Sequence, residues 1–355
     1  MELPRGLSER LSALYPGARI VRAEALGADA GGGETEKGLG YGRPIRVCLE
    51  AGGRGHDVVL HTARADAYGH DRRADRAAEM LLAFDTFGTI PCHVRALDVG
   101  AVGDDGTLVS LRGTGEAWLL TEWAPGTLYA EDLRRIAATG ATPADRGRVE
   151  ALARYLAVLH ATPAPAPPLA YARAIRDLVG SGEGIAGIAD GYPDDTPGAP
   201  RPRLDTIERA CLEWRLRLRG RADRLRRVHG DFHPFNILFD GDRLVLLDTS
   251  RGSAGDPADD VAALVINFLF FGLEHRERWA EGLGALWRRF FEVYPVDEGL
   301  LSALPPFLAW RGLVVASPRW YPHLSAVDRD RILSFVERGL AAPRFELRFG
   351  PEAMA

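Results

Sequence analysis

Lysine is almost absent from this sequence. Lys37 is the single example, and the other 43 of the 44 basic residues are arginine. A general bias toward Arg, Ala and Gly explains most of this, but it leaves Lys37 as a residue of interest. The 44 basic residues nearly balance 49 acidic ones, which gives a net charge of −5. Because the charges are spread along the chain, they argue against a generic nucleic-acid-binding protein.

Cysteine and long apolar segments are scarce as well. The three cysteines, Cys48, Cys92 and Cys211, are far apart and odd in number, so they indicate a reducing compartment. Residues 1–24 lack the apolar core of a signal peptide. The longest apolar run, 261–273, is interrupted by an asparagine and is too short to span a bilayer. We therefore predict a soluble cytoplasmic protein with no membrane partner.

Oxygen-bearing side chains are concentrated between residues 229 and 248. Asp231 and Asn236 lie on one loop, and a short apolar run then leads to Asp240-Gly241, which predicts a type I′ hairpin turn. Antiparallel pairing of the return run would bring Asp248 back beside that loop. Two carboxylates and an amide oxygen gathered in this way suit Mg²⁺, and they leave one carboxylate to accept a proton.

The pattern His-Gly-Asp-x-x-x-x-Asn over residues 229–236, followed by two short strands and an Asp, resembles the catalytic and metal-binding loops of the aminoglycoside phosphotransferase family. These are small-molecule kinases with a protein-kinase-like fold. The resemblance implies that Asp231 is the catalytic base and that His229 braces the loop. It also implies that Asn236 and Asp248 hold Mg²⁺, and that ATP (or GTP) is the phosphoryl donor.

By the same resemblance, the fold is expected to be a two-lobed α+β architecture. The 355 residues are sufficient for two lobes with a proper core. Residues 1–123 would form a small β-rich N-lobe, with a nucleotide-binding sheet plus one helix. Residues 124–355 would form a larger, mostly helical C-lobe that carries the catalytic loop, the metal site and the acceptor pocket.

The expected nucleotide-binding sheet departs from the family pattern at one position. Strands are predicted over residues 18–26, 44–49 and 57–62, with a glycine-rich stretch after the first. The third strand of such kinases carries a lysine that contacts the phosphates, but His61 stands here. Three interpretations stay open: Lys37 reaches the phosphates from the glycine-rich stretch, which we favour, His61 serves when protonated, or the protein is a pseudokinase.

Two further segments are expected to bind the nucleotide. A helix is predicted over residues 71–87, capped by Asp71. Glu79 on this helix would pair with the phosphate-binding cation; the alternatives are a solvated glutamate or a pairing with Arg73 or Arg76. Residues 116–126 resemble the family's hinge, with a buried strand, an acidic residue and a glycine turn. Adenine would bond there to the carbonyl of Thr121 and the N–H of Trp123.

The C-lobe sequence predicts helices over residues 148–160, 171–178 and 204–218, with a loop region over 180–203. Carboxylates of that loop region are candidates for receiving a cationic acceptor, or are plain loop residues: Glu183, Asp190, Asp194 and Asp195. Other side chains are expected to have mainly structural roles. His160 is structural, Asp260 holds the catalytic loop, and Asp256 or Asp259 caps a helix. Trp310-Arg311 and Trp320-Tyr321 are core residues or line an acceptor cleft.

These features predict transfer of the γ-phosphoryl group of ATP to a hydroxyl of a small molecule. The acceptor classes left open are an aminoglycoside-like antibiotic, a sugar and an amino alcohol, because fold-level analogy does not choose among them. A nucleotide-binding pseudokinase or regulatory protein is the alternative. A metal-dependent hydrolase using His229, Asp231 and His233 is a further one, but it would need additional ligands from elsewhere in the chain.

Overall fold

The computed structural model of the protein describes residues 3–26, 44–66, 68–249 and 251–355. The chain divides into two compact units, Met1–Thr121 and Glu122–Ala355. Lys37 and the glycine-rich stretch lie outside the described residues.

The first unit contains a three-stranded antiparallel sheet in the order β1-β2-β3. Val47 and Leu49 of the central strand alternate toward a small core and pack with Leu7 and Leu11 of the first helix, which the sequence did not predict. The three predicted strands are confirmed within a few residues. The described elements of this unit are α1 (Leu7–Leu14), β1 (Arg19–Ala25), β2 (Ile45–Ala51), β3 (Arg54–Leu60), α2 (Arg73–Thr86), β4 (Gly100–Val102) and β5 (Leu108–Ser110).

The second unit is mostly helical, as predicted. Its helices are α3 (Tyr129–Thr139), α4 (Pro143–Ala161), α5 (Leu169–Gly180), α6 (Ile185–Asp190), α7 (Arg201–Leu218), α8 (Pro257–Gly272), α9 (Leu283–Val293), α10 (Glu298–Ala316), α11 (Ala326–Ala341) and α12 (Phe349–Met354). Its short strands are β6 (Thr127–Leu128), β7 (Arg226–Arg227), β8 (Ile237–Asp240), β9 (Arg243–Leu246) and β10 (Ala254–Gly255).

Helices α8 and α10 form the centre of this unit. Twelve residues of α8 and fourteen of α10 are buried, because apolar residues lie on all sides of both helices. Among the described residues, α10 is the one helix long and apolar enough to cross a membrane by length and composition. However, 78% of its apolar segment is buried inside the protein, so α10 is a core helix of this unit.

The β8–β9 hairpin carries the chain from the catalytic motif to Asp248. Ile237 pairs with Leu246, and Asp240 pairs with Arg243. The two central turn residues are therefore 241 and 242, and of these only Gly241 has a positive φ, of 61°. This is the pattern of a type II′ turn, so the predicted type I′ turn at Asp240-Gly241 is wrong in type and shifted by one residue.

Three local predictions also differ from the structure. The predicted loop region over 180–203 contains the short helix α6 and the start of α7. The cap of α2 is Arg72 rather than Asp71, and its backbone N–H donates to the Asp75 carboxylate at 2.9 Å. The expected buried strand over 116–123 is absent: Trp118, Leu119, Leu120 and Trp123 are 83–91% exposed. A strand needs a neighbour for its hydrogen bonds, and no described strand pairs with this segment.

Candidate active site

The catalytic loop is held from below by a buried carboxylate at the start of α8. Asp260 accepts hydrogen bonds from the backbone N–H groups of His229 and Gly230, at 2.7 and 2.8 Å. His160 Nε2 lies 3.1 Å from the same carboxylate. Gly230 has a φ of 83°, and a Cβ there would come within 2.9 Å of the Gly252 carbonyl oxygen. The loop therefore needs glycine at this position to reach its conformation.

The acidic residues 256–260 fulfil both of the roles predicted for them, capping a helix and holding the catalytic loop. Asp256 caps α8, since its side chain accepts from the Ala258 N–H at 2.9 Å. Asp260 meanwhile bonds the catalytic-loop backbone. His160 has a structural setting, because its second ring nitrogen lies 2.7 Å from the Tyr294 hydroxyl.

The two carboxylate oxygens of Asp231 have different surroundings. Oδ1 accepts from Arg311 Nη1 at 2.8 Å and has Arg251 Nη2 at 3.4 Å. Oδ2 has longer contacts, with Asn236 Nδ2 at 3.3 Å and His233 Nε2 at 3.5 Å. Oδ1 is therefore engaged by arginine, whereas Oδ2 faces the side of the loop that carries Asn236.

The charge state of Asp231 follows from these neighbours. Burial would raise the pKa of this carboxyl, but the contact with His233 and the positive charges of Arg311 and Arg251 hold the pKa well below its usual range. Asp231 is thus an anion throughout the physiological pH range. A carboxylate with so low a pKa is a weak proton acceptor, but it still accepts a hydrogen bond from a hydroxyl and can orient it.

Asn236 is fixed so that its amide oxygen stays available. Its Nδ2 donates to the Asp231 carbonyl oxygen at 3.1 Å and approaches Asp231 Oδ2 at 3.3 Å. The orientation of the amide is thereby set, and Oδ1 points away from these acceptors. An amide oxygen in this position is a suitable ligand for a hard cation.

Asp248 lies next to Asn236 through the backbone of the hairpin. The Leu247 N–H donates to the Asn236 carbonyl oxygen at 2.9 Å, so Asp248 follows directly. Its side chain is exposed, and its φ of 34° is one of two positive values among the described non-glycine residues. Such a conformation costs about 1–3 kcal/mol and is typical of functional positions. The donor set of Asn236 and Asp248 fits Mg²⁺, which takes one or two protein oxygen ligands together with phosphates and water.

The two histidines of the motif bond to their own loop. His229 Nδ1 accepts from the Asp231 N–H at 3.3 Å, and His233 Nδ1 accepts from the Phe235 N–H at 3.2 Å. Within the described part of the chain, no three His, Cys, Asp or Glu side chains are grouped to hold a metal ion. The additional ligands that a metal-hydrolase site requires are therefore not found there.

Two arginines beside Asp231 were not recognised as site residues from the sequence. Arg311 is buried on α10, and Arg251 follows Asp248 by three residues. Both guanidinium groups stack on the Trp310 ring, at 4.2 Å for Arg251 and 4.0 Å for Arg311. The Trp310-Arg311 pair was identified as a candidate for the acceptor cleft, but no spacing pattern indicates that Arg311 reaches a carboxylate 80 positions away.

The predicted nucleotide-binding residues all come earlier in the sequence than the cluster around Asp231. His61 follows β3 and is exposed. Glu79 on α2 has His70 Nε2 at 3.4 Å as its nearest described basic group, so the pairings with Arg73 or Arg76 are not formed. Thr121 is exposed, and Trp123 is 91% exposed.

The acidic candidates for acceptor binding are not grouped around one point. Asp194 pairs with Arg201 at 3.0 Å, and Asp190 and Asp195 are exposed. Glu183 is the member connected with the catalytic residues, because its backbone carbonyl accepts from Trp310 Nε1 at 2.7 Å. The described structure thus links the 180–203 region to Asp231 through Trp310 and Arg311.

Comparison with known proteins gives one family match. The model of the APH family, described as the phosphotransferase enzyme family, matches residues 44–300. No curated protein matches the chain. Together with the small antiparallel sheet and the helical second unit, the family match confirms the predicted fold class.

Solved structures with some likeness are small-molecule kinases. An aminoglycoside phosphotransferase from Streptomyces rimosus, in complex with ADP and streptomycin, is 19% identical over 53% of this chain and 67% of its own, with a TM-score of 0.33. An amicoumacin kinase in complex with AMP-PNP is 15% identical over 96% of this chain and 95% of its own, with a TM-score of 0.37. At such TM-scores these neighbours say nothing about the substrate of this chain.

Proposed function

The chain belongs to the aminoglycoside phosphotransferase family, whose members transfer phosphoryl groups to hydroxyls of small molecules, and on this premise we propose that Asp231 orients the acceptor hydroxyl for attack on the γ-phosphate of ATP (or GTP). Asn236 and Asp248 would hold Mg²⁺, and His229 braces the catalytic loop that carries Asp231. Nucleotide binding is assigned to the N-lobe, residues 1–123, and the chemistry to the C-lobe, residues 124–355.

The observation that carries this proposal is that Asn236 can hold Asp231 through its amide nitrogen and bind a cation through its amide oxygen. Its Nδ2 donates to the backbone carbonyl of Asp231, at 3.1 Å, and lies 3.3 Å from the carboxylate. Its Oδ1 is left for a cation, and Asp248 directly follows Leu247, whose backbone N–H donates to the Asn236 carbonyl oxygen. One amide thus ties the metal ligands to the carboxylate that receives the acceptor, and this supports a kinase reaction over a simple nucleotide-binding role.

The chain's own residues then have distinct tasks. Asp231 is negatively charged and accepts a hydrogen bond from the acceptor hydroxyl, which aligns the oxygen for in-line attack. Since phosphoryl transfer is largely dissociative, the hydroxyl proton leaves late, and a weakly basic carboxylate is sufficient. Mg²⁺, when bound, neutralises charge on the β- and γ-phosphates. Asp260 keeps the loop backbone fixed while these groups meet.

The experiment is a coupled assay of Mg²⁺-dependent ATP consumption over a panel of aminoglycosides, sugars and amino alcohols. The wild-type protein is expected to consume ATP with at least one of these acceptors. Asp231→Asn removes the carboxylate and is expected to lower that turnover by about 10²–10⁴-fold. ATP consumption at the wild-type rate by this variant would refute the assignment.

Asp242→Asn is the matched control. Asp242 is exposed in the turn of the same hairpin, so the substitution makes the same chemical change without touching Asp231 or Asn236. Turnover of this variant should equal that of the wild type. If no acceptor stimulates ATP consumption by the wild type, although it binds Mg·ATP, the pseudokinase alternative would be favoured instead.

A further inference from the structure

Arg311 lies between two carboxylates in the interior of the C-lobe. It is 7% exposed, and its Nη1 donates to Asp231 Oδ1 at 2.8 Å while its Nη2 donates to Asp259 Oδ1 at 2.9 Å. Asp259 is adjacent in sequence to Asp260, which bonds the catalytic-loop backbone. One guanidinium group therefore connects the Asp231 side chain with the end of α8 that fixes the loop.

Stacking on an aromatic ring, in addition to the two ion pairs, fixes the orientation of the Arg311 guanidinium group. Its central carbon lies 4.0 Å from the centre of the Trp310 ring. The indole Nε1 of that tryptophan donates to the Glu183 carbonyl oxygen at 2.7 Å, so the ring is itself anchored. A planar group held by stacking and by two hydrogen bonds is preorganised, and it presents its N–H groups in one direction only.

The contact selects between the two oxygens of Asp231. Arg311 engages Oδ1, which turns Oδ2 toward Asn236, with Nδ2 at 3.3 Å. Oδ2 has no contact shorter than this among the described residues, so it is the oxygen left to accept a bond from a substrate. Rotation of the carboxylate would break the 2.8 Å bond to Arg311.

We propose that Arg311 is a positioning residue for phosphoryl transfer, which holds Asp231 by Oδ1 so that Oδ2 alone faces the acceptor hydroxyl. This inference rests on the proposed function. Arg311 affects the reaction through its contact with Asp231 and does not itself touch the substrate. Its task requires the fork of a guanidinium group, because a lysine supplies a charge but cannot bridge Asp231 and Asp259 in the same fixed geometry.

The test compares Arg311→Met and Arg311→Lys with the wild type, using Mg·ATP with the acceptor found by the panel and with water alone. For Arg311→Met we expect kcat to fall by about 10²-fold, since the attacking oxygen is no longer aligned, whereas the KM for ATP stays unchanged. Arg311→Lys keeps the positive charge but cannot bridge Asp231 and Asp259, so it should also lower kcat at an unchanged KM for ATP.

Arg311→Met also removes the closer of the two arginines that pair with the largely buried Asp259, leaving Arg251 at 3.8 Å, and this loss could unfold the protein. The double variant Arg311→Met/Asp259→Asn removes both buried charges and still releases Asp231. It should fold and show the same fall in kcat at an unchanged KM for ATP. Arg203→Met is the control for loss of a partly buried bridging arginine, because Arg203 joins Asp330 and Glu337 at 2.7 and 2.8 Å; its kcat should equal that of the wild type.

The results separate this inference from the proposed function. If Asp231→Asn abolishes transfer but folded Arg311→Met or the double variant keeps the wild-type kcat, the positioning role is refuted and the kinase assignment stands. If the wild type transfers no phosphoryl group at all, both proposals fail together. A fall in kcat of the same size in Arg203→Met, or a rise in the KM for ATP that accompanies the fall in kcat of Arg311→Met, would assign Arg311 to packing and also overturn the inference.

Discussion

At the scale of single residues, Asp260 determines how the catalytic loop is held. It is fully buried, and it accepts from two consecutive backbone N–H groups and lies beside His160. Burial would raise the pKa of Asp260, but the hydrogen bonds from His160 and from the loop backbone lower it below its ordinary value. Asp260 is therefore ionised in the folded protein at neutral pH.

We expect Asp260→Asn to destabilise the protein by about 3 kcal/mol, because an amide replaces a carboxylate that accepts charge-assisted hydrogen bonds in the interior. Urea unfolding at neutral pH measures this loss. Asp242→Asn, an exposed site in the hairpin turn, should leave the free energy of unfolding unchanged.

The same comparison has a defined pH dependence. Since the folded-state pKa of Asp260 is lowered, its contribution is fully present above the unfolded pKa of about 3.9 and is lost as the pH falls through the folded value. The difference in unfolding free energy between wild type and Asp260→Asn should thus be constant above about pH 5 and shrink on acidification. A difference that grows as the pH falls would contradict this account.

At the scale of secondary-structure elements, the sequence was informative where a pattern recurs along one element. The helix predicted over residues 204–218 is confirmed by α7, whose five buried residues recur at helical spacing: Leu204, Ile207, Cys211, Trp214 and Leu218. The strands of the catalytic hairpin were likewise found, since an apolar run, a turn and a second run are local signals.

Elements that depend on a distant partner were not predictable in the same way. Residues 116–126 were expected to contain a buried strand because they resemble the family's hinge, but a strand requires a neighbouring strand, and none of the described strands pairs with them. Helix α2 has an apolar stripe in sequence and yet has no buried residue. The type II′ turn depends on which residues pair across β8 and β9, and that register cannot be derived from Asp240-Gly241 alone.

Three basic side chains of the N-lobe are to be compared for nucleotide binding. Lys37 lies outside the described residues, His61 is exposed, and His70 is placed between Asp66 and Glu79, with contacts of 3.0 and 3.4 Å. ATP affinity should be measured for Lys37→Ala, His61→Ala and His70→Ala. We expect Lys37→Ala to weaken binding by about tenfold, equivalent to about 1.4 kcal/mol, because it removes the one fixed ammonium charge.

His61→Ala is expected to bind ATP as the wild type does, since an exposed imidazole does not supply a fixed positive charge. An unchanged affinity of Lys37→Ala would refute the role of Lys37. In that case, a loss confined to His70→Ala would assign the phosphate-binding cation to the residue that contacts Glu79.

At the scale of the whole molecule, the catalytic cluster draws on parts of the C-lobe that are far apart in sequence. Asp231 and Asn236 lie on one loop, and their relationship was evident from the motif. Arg311 comes from α10, 80 positions later than Asp231, and is brought there by the packing of α10 against α8 within one large core. Such contacts follow from how helices stack and not from any local pattern, so the motif was recognisable while its electrostatic support was not.

The central claim is that the amide of Asn236 and the carboxylate of Asp248 hold the ion that accompanies the nucleotide. The most direct measurement is a crystal structure of the protein with AMP-PNP and Mn²⁺, in which anomalous scattering locates the metal. We predict that the ion contacts Asn236 Oδ1, Asp248 and the phosphates, while Asp231 Oδ2 stays free for an acceptor. An ion bound instead by His229 and His233, or no ion beside Asn236 when the nucleotide is present, would contradict the account.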